Sequence, residues 1–596
     1  MRHFSFIQAG LASVLCLSLV SCSTNTAEHE VNDGTYTGTG KGYNGDITVQ
    51  VKFSDNRISD ITVTSESETR TVSDSAIKKV PQYIQSNNSL NVDVSTGATL
   101  TIKGIISAVS DAIKQAGGNP DEWQDDATGK HKDTEKEIHS DAVVIGGGCA
   151  GLAAVLRLEQ NGIDTTLIEK SDSLGGSLLY SSEMSQLVAD SEKTNDEEDS
   201  GESAEDAVKD VWNYGDKTGD KDLLNLISEN LDDTVTWQVK DLGISFDEDW
   251  KKSDAYKGNA LKEYNESVGE LLSREADVCG ARILTNTAAI DLVYDDGQVS
   301  GVKAKASDGT VYTVDCSYVV IASGSEDMDE ALPYYGPLDN EGDLLTVGKQ
   351  YQFTETDKEN SLTYATGVRV ADQKAVDIMD ADEKAVNKGL FIVNQDGNRF
   401  VCEEENRQDI SDAVSSQKQA YLVMSDSAYK SWKEELLNNP VLEDEDIELI
   451  EDDEIPSVIH GKDMEEACSL AGLDEEAVLA SEESLQVPAE AGGNVDVYGR
   501  RMTSVSINPD KDIWIVPLCT YVYGNSGGIE TDEELHVLYN TDHSLDNVYV
   551  IGSAVGNVTG NKSIEGLGTA WAFVSGKTAA DHITDHITDQ IQKVTE

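Results

Sequence analysis

The 596-residue chain is short of basic residues: 45 Lys and Arg stand against 111 Asp and Glu, a net charge of −66. Binding nucleic acid needs clustered Lys and Arg on the phosphates, so a nucleic-acid partner is excluded. The imbalance also disfavours adhesion to an anionic membrane by charge, and it suits a solvated, extracytoplasmic surface. The eight cysteines include no C-x-x-C. That removes the signals for haem attachment, an iron–sulfur cluster or a zinc ribbon. Cys149, Cys279, Cys316, Cys402, Cys468 and Cys519 stand singly and read as small apolar interior residues. No metal site is signalled either. The acidic stretches 189–207 and 442–454 read as solvated surface loops, and the repeated Asp-His-Ile-Thr from Asp581 reads as a fraying helix end.

Long apolar runs are lacking as well. The stretch from Leu11 to Val20 is too short to favour a transmembrane helix. Arg2 and His3 precede it, and Leu19-Val20-Ser21-Cys22 follows in the form of a lipobox. Residues 1–22 are therefore expected to be a lipoprotein signal peptide. Cys22 would carry the lipid that anchors the chain to the outer face of a bacterial membrane.

What is present is organised around Asp141–Gly151, DAVVIGGGCAG. A short apolar strand enters a glycine turn and a helix leaves it. Gly146, Gly148 and Gly151 hold the G-x-G-x-x-G spacing: a tight turn, a close backbone approach to a pyrophosphate, and close helix–strand packing. The helix N-terminus then faces the phosphates. A second apolar run, Thr165–Ile168, ends in Glu169, where an acid takes the ribose hydroxyls. These features suit a nicotinamide or a flavin dinucleotide. Leu174-Gly175-Gly176-Ser177 follows directly, as in FAD enzymes, and points to FAD, bound non-covalently.

Upstream, residues 31–118 alternate apolar and polar residues in DGTYTGTGKGYNGDITVQVKF and ISDITVTS, then carry helical stretches. Between the helices lies Asp93-Val94-Ser95-Thr96-Gly97-Ala98-Thr99. Read alone, this is a turn that caps a helix. The whole segment resembles the small FMN-binding domain of Na⁺-pumping and Rnf-type electron-transfer complexes and of exported reductases. The resemblance implies that a flavin transferase esterifies Thr99 with FMN phosphate, within a motif formed by Asp93, Thr96, Gly97 and Ala98. Outside a cell, a covalent tether keeps the flavin from diffusing away. Residues 119–138 read as a polar linker.

From residue 139 the chain resembles the fumarate reductase, urocanate reductase and ketosteroid dehydrogenase flavoproteins. Its marks are the glycine loop, Val319-Val320-Ile321-Ala322-Ser323-Gly324, Val548-Tyr549-Val550-Ile551-Gly552-Ser553, and Gly566-Leu567-Gly568-Thr569-Ala570 before a final helix. Carried over, Ala322, Gly324, Gly552, Ser553, Gly568 and Thr569 join the FAD site. The implied architecture is α/β. A Rossmann-like FAD-binding domain (139–346 and 501–590) receives an inserted α+β capping domain (347–500), and the small α+β FMN-binding domain precedes both.

The resemblance also places chemistry. In GLFIVNQDGNRFVCEEENRQD, read as a strand, an Asp-Gly turn and a second strand, Arg407 falls on the family's proton-donating arginine. Glu383 falls on the glutamate of the proton relay, but Val386 stands where the relay's arginine would be. Read from composition alone, Arg407 is an arginine paired with Glu403, Glu404 or Glu405. The family's H-H-T-M-G-G is replaced by Tyr523-Gly524-Asn525-Ser526-Gly527-Gly528, so Tyr523 and Asn525 are substrate-side candidates. The second carboxylate-binding arginine is absent, and Lys562 is the nearest cation. A point charge cannot replace a bidentate fork, which disfavours fumarate. His460 sits in an expected helix and gives no catalytic signal.

The implied activity is reduction of an α,β-unsaturated acid or carbonyl compound as a terminal step of anaerobic respiration. Electrons would pass from a membrane quinol or a neighbouring extracellular flavoprotein to FMN and then to FAD. A ketosteroid-type dehydrogenase, in which Tyr523 takes part, and a non-catalytic flavin electron carrier stay open as alternatives.

Overall fold

The fold was taken from a computed structural model. It describes residues 31–41, 46–54, 56–65, 77, 80, 81, 83–85, 88–90, 92, 99–123, 135–180, 184–187, 204–246, 256–260, 268–295, 298–324, 332–336, 350–356, 361–371, 374–377, 388–405, 407–437, 457–485, 495–501, 507–540, 543–564 and 566–595. The chain divides into two compact units, Met1–Lys132 and Asp133–Glu596.

The first unit is an antiparallel sheet, Gly34–Lys41, Asp46–Ser54 and Arg57–Ser65, covered by the helix Thr99–Gln115. Period-two alternation buries Ile47, Val49, Val51 and Phe53 on one face. The helix answers with Ile102, Ile105, Ala108, Val109, Ala112 and Ile113, a stripe at helical spacing. Part of the expected linker belongs to this core. Pro120–Trp123 is a short 3-10 turn, and Trp123 is buried against Phe53 at 6.0 Å between ring centroids. An indole of that size is worth more buried than in a solvated linker.

In the second unit the sheet order is Arg282–Leu284, Thr165–Ile168, Ala142–Ile145, Tyr318–Ile321, His543–Val550, His536–Tyr539. All neighbours are parallel except the last pair. Three of these strands are buried at every residue, as expected of parallel strands covered on both faces. The other end of the expected linker also folds. Glu135–His139 pairs with Val311–Asp315 at the edge of a separate four-stranded sheet. The final helix is longer than expected, Leu567–Thr595. Asp581, expected at a fraying end, accepts from Arg157 Nε at 2.6 Å and from Lys577 Nζ at 2.8 Å, tying this helix to Cys149–Gln160.

The capping region is built on two antiparallel sheets. One runs Leu390–Asn394, Ala420–Ser425, Ile513–Pro517, Ile459–Gly461; the other runs Lys374–Asp377, Ser361–Ala371, Cys519–Asn525. Both use strands beyond residue 500, whereas Phe353 and Glu355 bridge to Tyr539 and Ile529 on the FAD side. Strands on both sides of residue 500 thus share the cap's sheets, and strand pairing across a long insertion is invisible to local pattern. Two local expectations change too. His460 lies in a strand, 3.0 Å from Asp512 and stacked on Trp514, not in a helix. Residues 398–405 form no second strand. Arg399 and Glu403 turn inward to an ion cluster with Asp496 and Arg500, at 2.6, 2.8 and 3.3 Å, and all four are buried. Satisfying those charges outweighs hairpin pairing. Among the described residues no helix is long and apolar enough to cross a membrane. Residues 1–30, with Cys22, lie outside the described residues.

Candidate active site

The glycine loop is forced by geometry. Gly146 has φ +104, and a Cβ there would lie 2.3 Å from the Ala322 carbonyl oxygen. A Cβ on Gly151 would lie 1.9 Å from the Gly146 carbonyl oxygen, so the helix Cys149–Gln160 starts hard against the strand end. Gly148 caps that helix without a side-chain bond, and the first turn carries no acid. Its leading N–H groups are left to an outside acceptor. Glu169 takes Gly147 N at 2.5 Å and Ser171 N at 2.6 Å, which brings its carboxylate up to the loop.

The second glycine loop, 28 residues further along, docks on the first. Gly175 N donates to Gly147 O at 2.8 Å, and Ser177 follows in the short helix Gly176–Tyr180. Gly324 and Gly552 take φ of +86 and +63. Gly552 is held by Ser575 Oγ (3.0 Å) and Trp571 Nε1 (2.8 Å), with Ser553 exposed beside it. Gly568 and Thr569 lie in the first turn of the final helix, where a Cβ on Gly568 would meet nothing. Two helix N-termini, a carboxylate and side-chain-free backbone converge on one strand-end crevice. That donor set fits a dinucleotide. Burial pushes the Cys149 thiol in this loop well up, so it stays a neutral packing group.

The cap presents a second cluster. Arg407 opens the helix Arg407–Ser415. Its Nε lies 3.1 Å from Asp377 Oδ2, and Asp377 is fully buried. Two of the neighbouring glutamates are engaged elsewhere: Glu403 serves Arg399 and Arg500, and Glu404 serves Arg501. Asp377 also accepts the Tyr521 hydroxyl. The Arg407 guanidinium sits 5.8 Å from the centre of the Tyr364 ring, and Tyr364 stacks on Tyr523 at 4.3 Å and 11°. Burial, then the bonded Tyr364 hydroxyl, keeps the Tyr523 phenol well above its usual range. At neutral pH it is a hydrogen-bond donor and not a base.

Lys562 reaches across from the FAD side to Asp412 of the Arg407 helix, at 2.8 Å, and lies 5.8 Å from the ring centre of Tyr214. Asn525 is used locally, accepting Gly527 N at 2.7 Å. The fold thus gathers Arg407, Tyr523 and Lys562. Glu383 lies outside the described residues, as do Asp93, Thr96, Gly97 and Ala98. The helix of the first unit begins at Thr99. Among the described residues no cluster of metal-ligating side chains occurs.

Residues 141–569 match the FAD binding domain model. The chain belongs to the FAD binding domain family. An FMN-binding domain model matches residues 42–114. Among relatives of this flavoprotein, urocanate reductase of Eggerthella lenta is 24% identical over 624 residues, covering 96% of this chain and 98% of that one. NADH:acrylate oxidoreductase of Vibrio harveyi is 24% identical over 93% of this chain, which spans only 61% of that relative. Vinyl phenol reductase of Lactiplantibacillus plantarum is 22% identical over 76% of this chain and 97% of its own length. The fold matches the open conformation of a flavocytochrome c3 fumarate reductase (TM-score 0.57, 19% identity, 75% and 78% coverage). It also matches 3-ketosteroid Δ1-dehydrogenase from Sterolibacterium denitrificans (TM-score 0.57, 15% identity, 75% and 100% coverage).

Sequence reasoning missed three members of the flavoprotein's second cluster. Asp377 and Tyr364 sit on cap strands far from any motif, and Tyr214 ends a helix of the FAD-binding part. No sequence signal singles out Asp377, which ends the short strand Lys-Ala-Val-Asp.

Proposed function

We propose that the chain is an FAD-dependent reductase that adds a hydride and a proton across the C=C bond of an α,β-unsaturated acid or carbonyl compound. The observation that carries this reading is Arg407, held against buried Asp377 on the wall of a tyrosine-lined site in an FAD-binding fold. Bound FAD supplies the hydride, fed with electrons by the FMN-binding domain. The side chains do the rest. Asp377 and the Tyr364 face fix the guanidinium, Arg407 holds the proton that goes to the α-carbon, and neutral Tyr523 closes the wall. A free guanidinium has a pKa above 12, so Arg407 acts as a conduit that a relay must refill at once. Glu383 is the candidate source. The replacement of the family's second carboxylate-binding arginine by Lys562, and the pairing of Lys562 with Asp412, speak against fumarate.

In the same reading, FMN is esterified to Thr99 by a flavin transferase. The mature chain is held outside the cell by lipid on Cys22, and a quinol-linked or flavoprotein donor feeds it in anaerobic respiration. Two results are expected. Viologen-reduced holoprotein is reoxidised by at least one member of a panel of unsaturated acids and enones; no reoxidation by any of them defeats the reductase reading. Protein co-produced with its transferase carries the added mass of FMN, and Thr99→Ala does not. An unmodified wild type would defeat the tether alone.

A further inference from the structure

Among the described residues, both cations gathered at the proposed substrate site already have a carboxylate. Arg407 has Asp377 at 3.1 Å, and Lys562 has Asp412 at 2.8 Å. A substrate carboxylate would have to share a cation whose charge a protein carboxylate already offsets, in a partly desolvated site. The tyrosines are arranged differently. Tyr523 and Tyr364 bond to each other, and Tyr521 donates to Asp377. The Tyr214 hydroxyl is buried and has no hydrogen-bond partner among the described residues. It lies within electrostatic range of Tyr364 and Tyr523 and beside Lys562. Burial, then Asp412 and Asp409, hold this phenol far above its usual range, so it is a donor at any working pH. A buried donor without an acceptor is costly to leave unmade, and a ligand that supplies the acceptor recovers that cost.

We propose that Tyr214 donates to the carbonyl oxygen of an uncharged, conjugated ketone, aldehyde or ester, and that the site selects such compounds over unsaturated carboxylates. This rests on the reading of the chain as a C=C reductase. Flat conjugated substrates suit the stacked Tyr364–Tyr523 wall. A hydrogen bond to the carbonyl oxygen draws electrons from the β-carbon, which favours hydride arrival there and proton arrival from Arg407 at the α-carbon.

The test is a matched pair differing in charge, 4-phenylbut-3-en-2-one and 3-phenylpropenoate, given to flavin-loaded full-length protein with reduced viologen as donor. The wild type is expected to show kcat/KM for the ketone at least about tenfold above that for the acid. Tyr214→Phe is expected to narrow this ratio about three- to tenfold, chiefly through KM for the ketone, with an unchanged melting temperature and flavin spectrum. In calorimetric titration of oxidised holoprotein, the saturated ketone 4-phenylbutan-2-one should likewise bind the variant more weakly. A wild type that prefers the acid overturns the proposal while leaving the reductase reading intact, and so does a ratio that Tyr214→Phe does not move. Failure of both compounds, and of every other alkene in the panel, overturns the reductase reading and this inference with it. Should Tyr214→Phe not fold, the wild-type ratio decides alone.

Discussion

Arg407→Ala is expected to cut alkene reduction about a thousandfold, within the range for losing a positioned proton donor. The hydride can still be delivered, but the carbanion it creates at the α-carbon then has only solvent as an acid. Asp377 cannot substitute, because it is an acceptor, bound to the Tyr521 hydroxyl and buried behind the arginine. Truncation would also strand that carboxylate in the interior, so part of any fall in stability belongs to Asp377 and not to catalysis. Two controls separate these effects. Flavin reduction by viologen and reoxidation by ferricyanide should be unchanged in Arg407→Ala. Arg501→Ala, whose guanidinium is exposed and paired with Glu404, should turn over alkene within about twofold of the wild type. Unchanged turnover in Arg407→Ala would remove the proton donor from the proposal and favour a protein that only relays electrons.

Gly151→Ala is expected to yield protein with no bound FAD. The added methyl would lie 1.9 Å from the Gly146 carbonyl oxygen and 3.3 Å from Ala322 Cβ. Both close contacts are made by groups that strand pairing fixes, so relief requires the helix Cys149–Gln160 to withdraw from the strand end. Overpacking of this kind costs about 1–3 kcal/mol in a core, and here it also pulls the helix N-terminus away from the pyrophosphate position. Gly568→Ala is the comparison. Its Cβ meets no atom, so the melting temperature of that apoprotein should match the wild type. Absorbance of purified protein at flavin wavelengths reads the first effect, and a melting curve the second. A yellow, fully loaded Gly151→Ala would show that the loop is not the dinucleotide cradle.

The FAD crevice was legible in the sequence because each part is a local necessity. Gly146 needs positive φ, Gly151 needs close packing, and the strands Ala142–Ile145 and Tyr318–Ile321 are apolar at every residue because both faces are covered. The docking of the Gly175 loop onto Gly147 came only from the structure. The cap was less legible. Its sheets recruit strands at 513–517 and 519–525, whose partners at 420–425 and 361–371 lie far back in the chain, and no local period encodes such pairings. The stretch after the Asp-Gly turn at 396–397 resembles a hairpin until the buried charges of Asp496 and Arg500, about a hundred residues away, are placed beside Arg399 and Glu403.

By itself the sequence determined the glycine cradle, because backbone geometry and short-range spacing impose those residues wherever the chain goes; the FMN-binding domain and the place of Arg407 were implied by resemblance to known families. Only the tertiary structure decided what Arg407 faces. A guanidinium amid Glu403, Glu404 and Glu405 would be expected to pair with one of them. Instead the fold engages Glu403 with Arg399 and Arg500, engages Glu404 with Arg501, and buries Asp377 against Arg407. Charge pairing in a desolvated site follows distance in space and not in sequence. The chemistry of the substrate wall is therefore set in part by residues, Asp377 and Tyr364, that no motif contains.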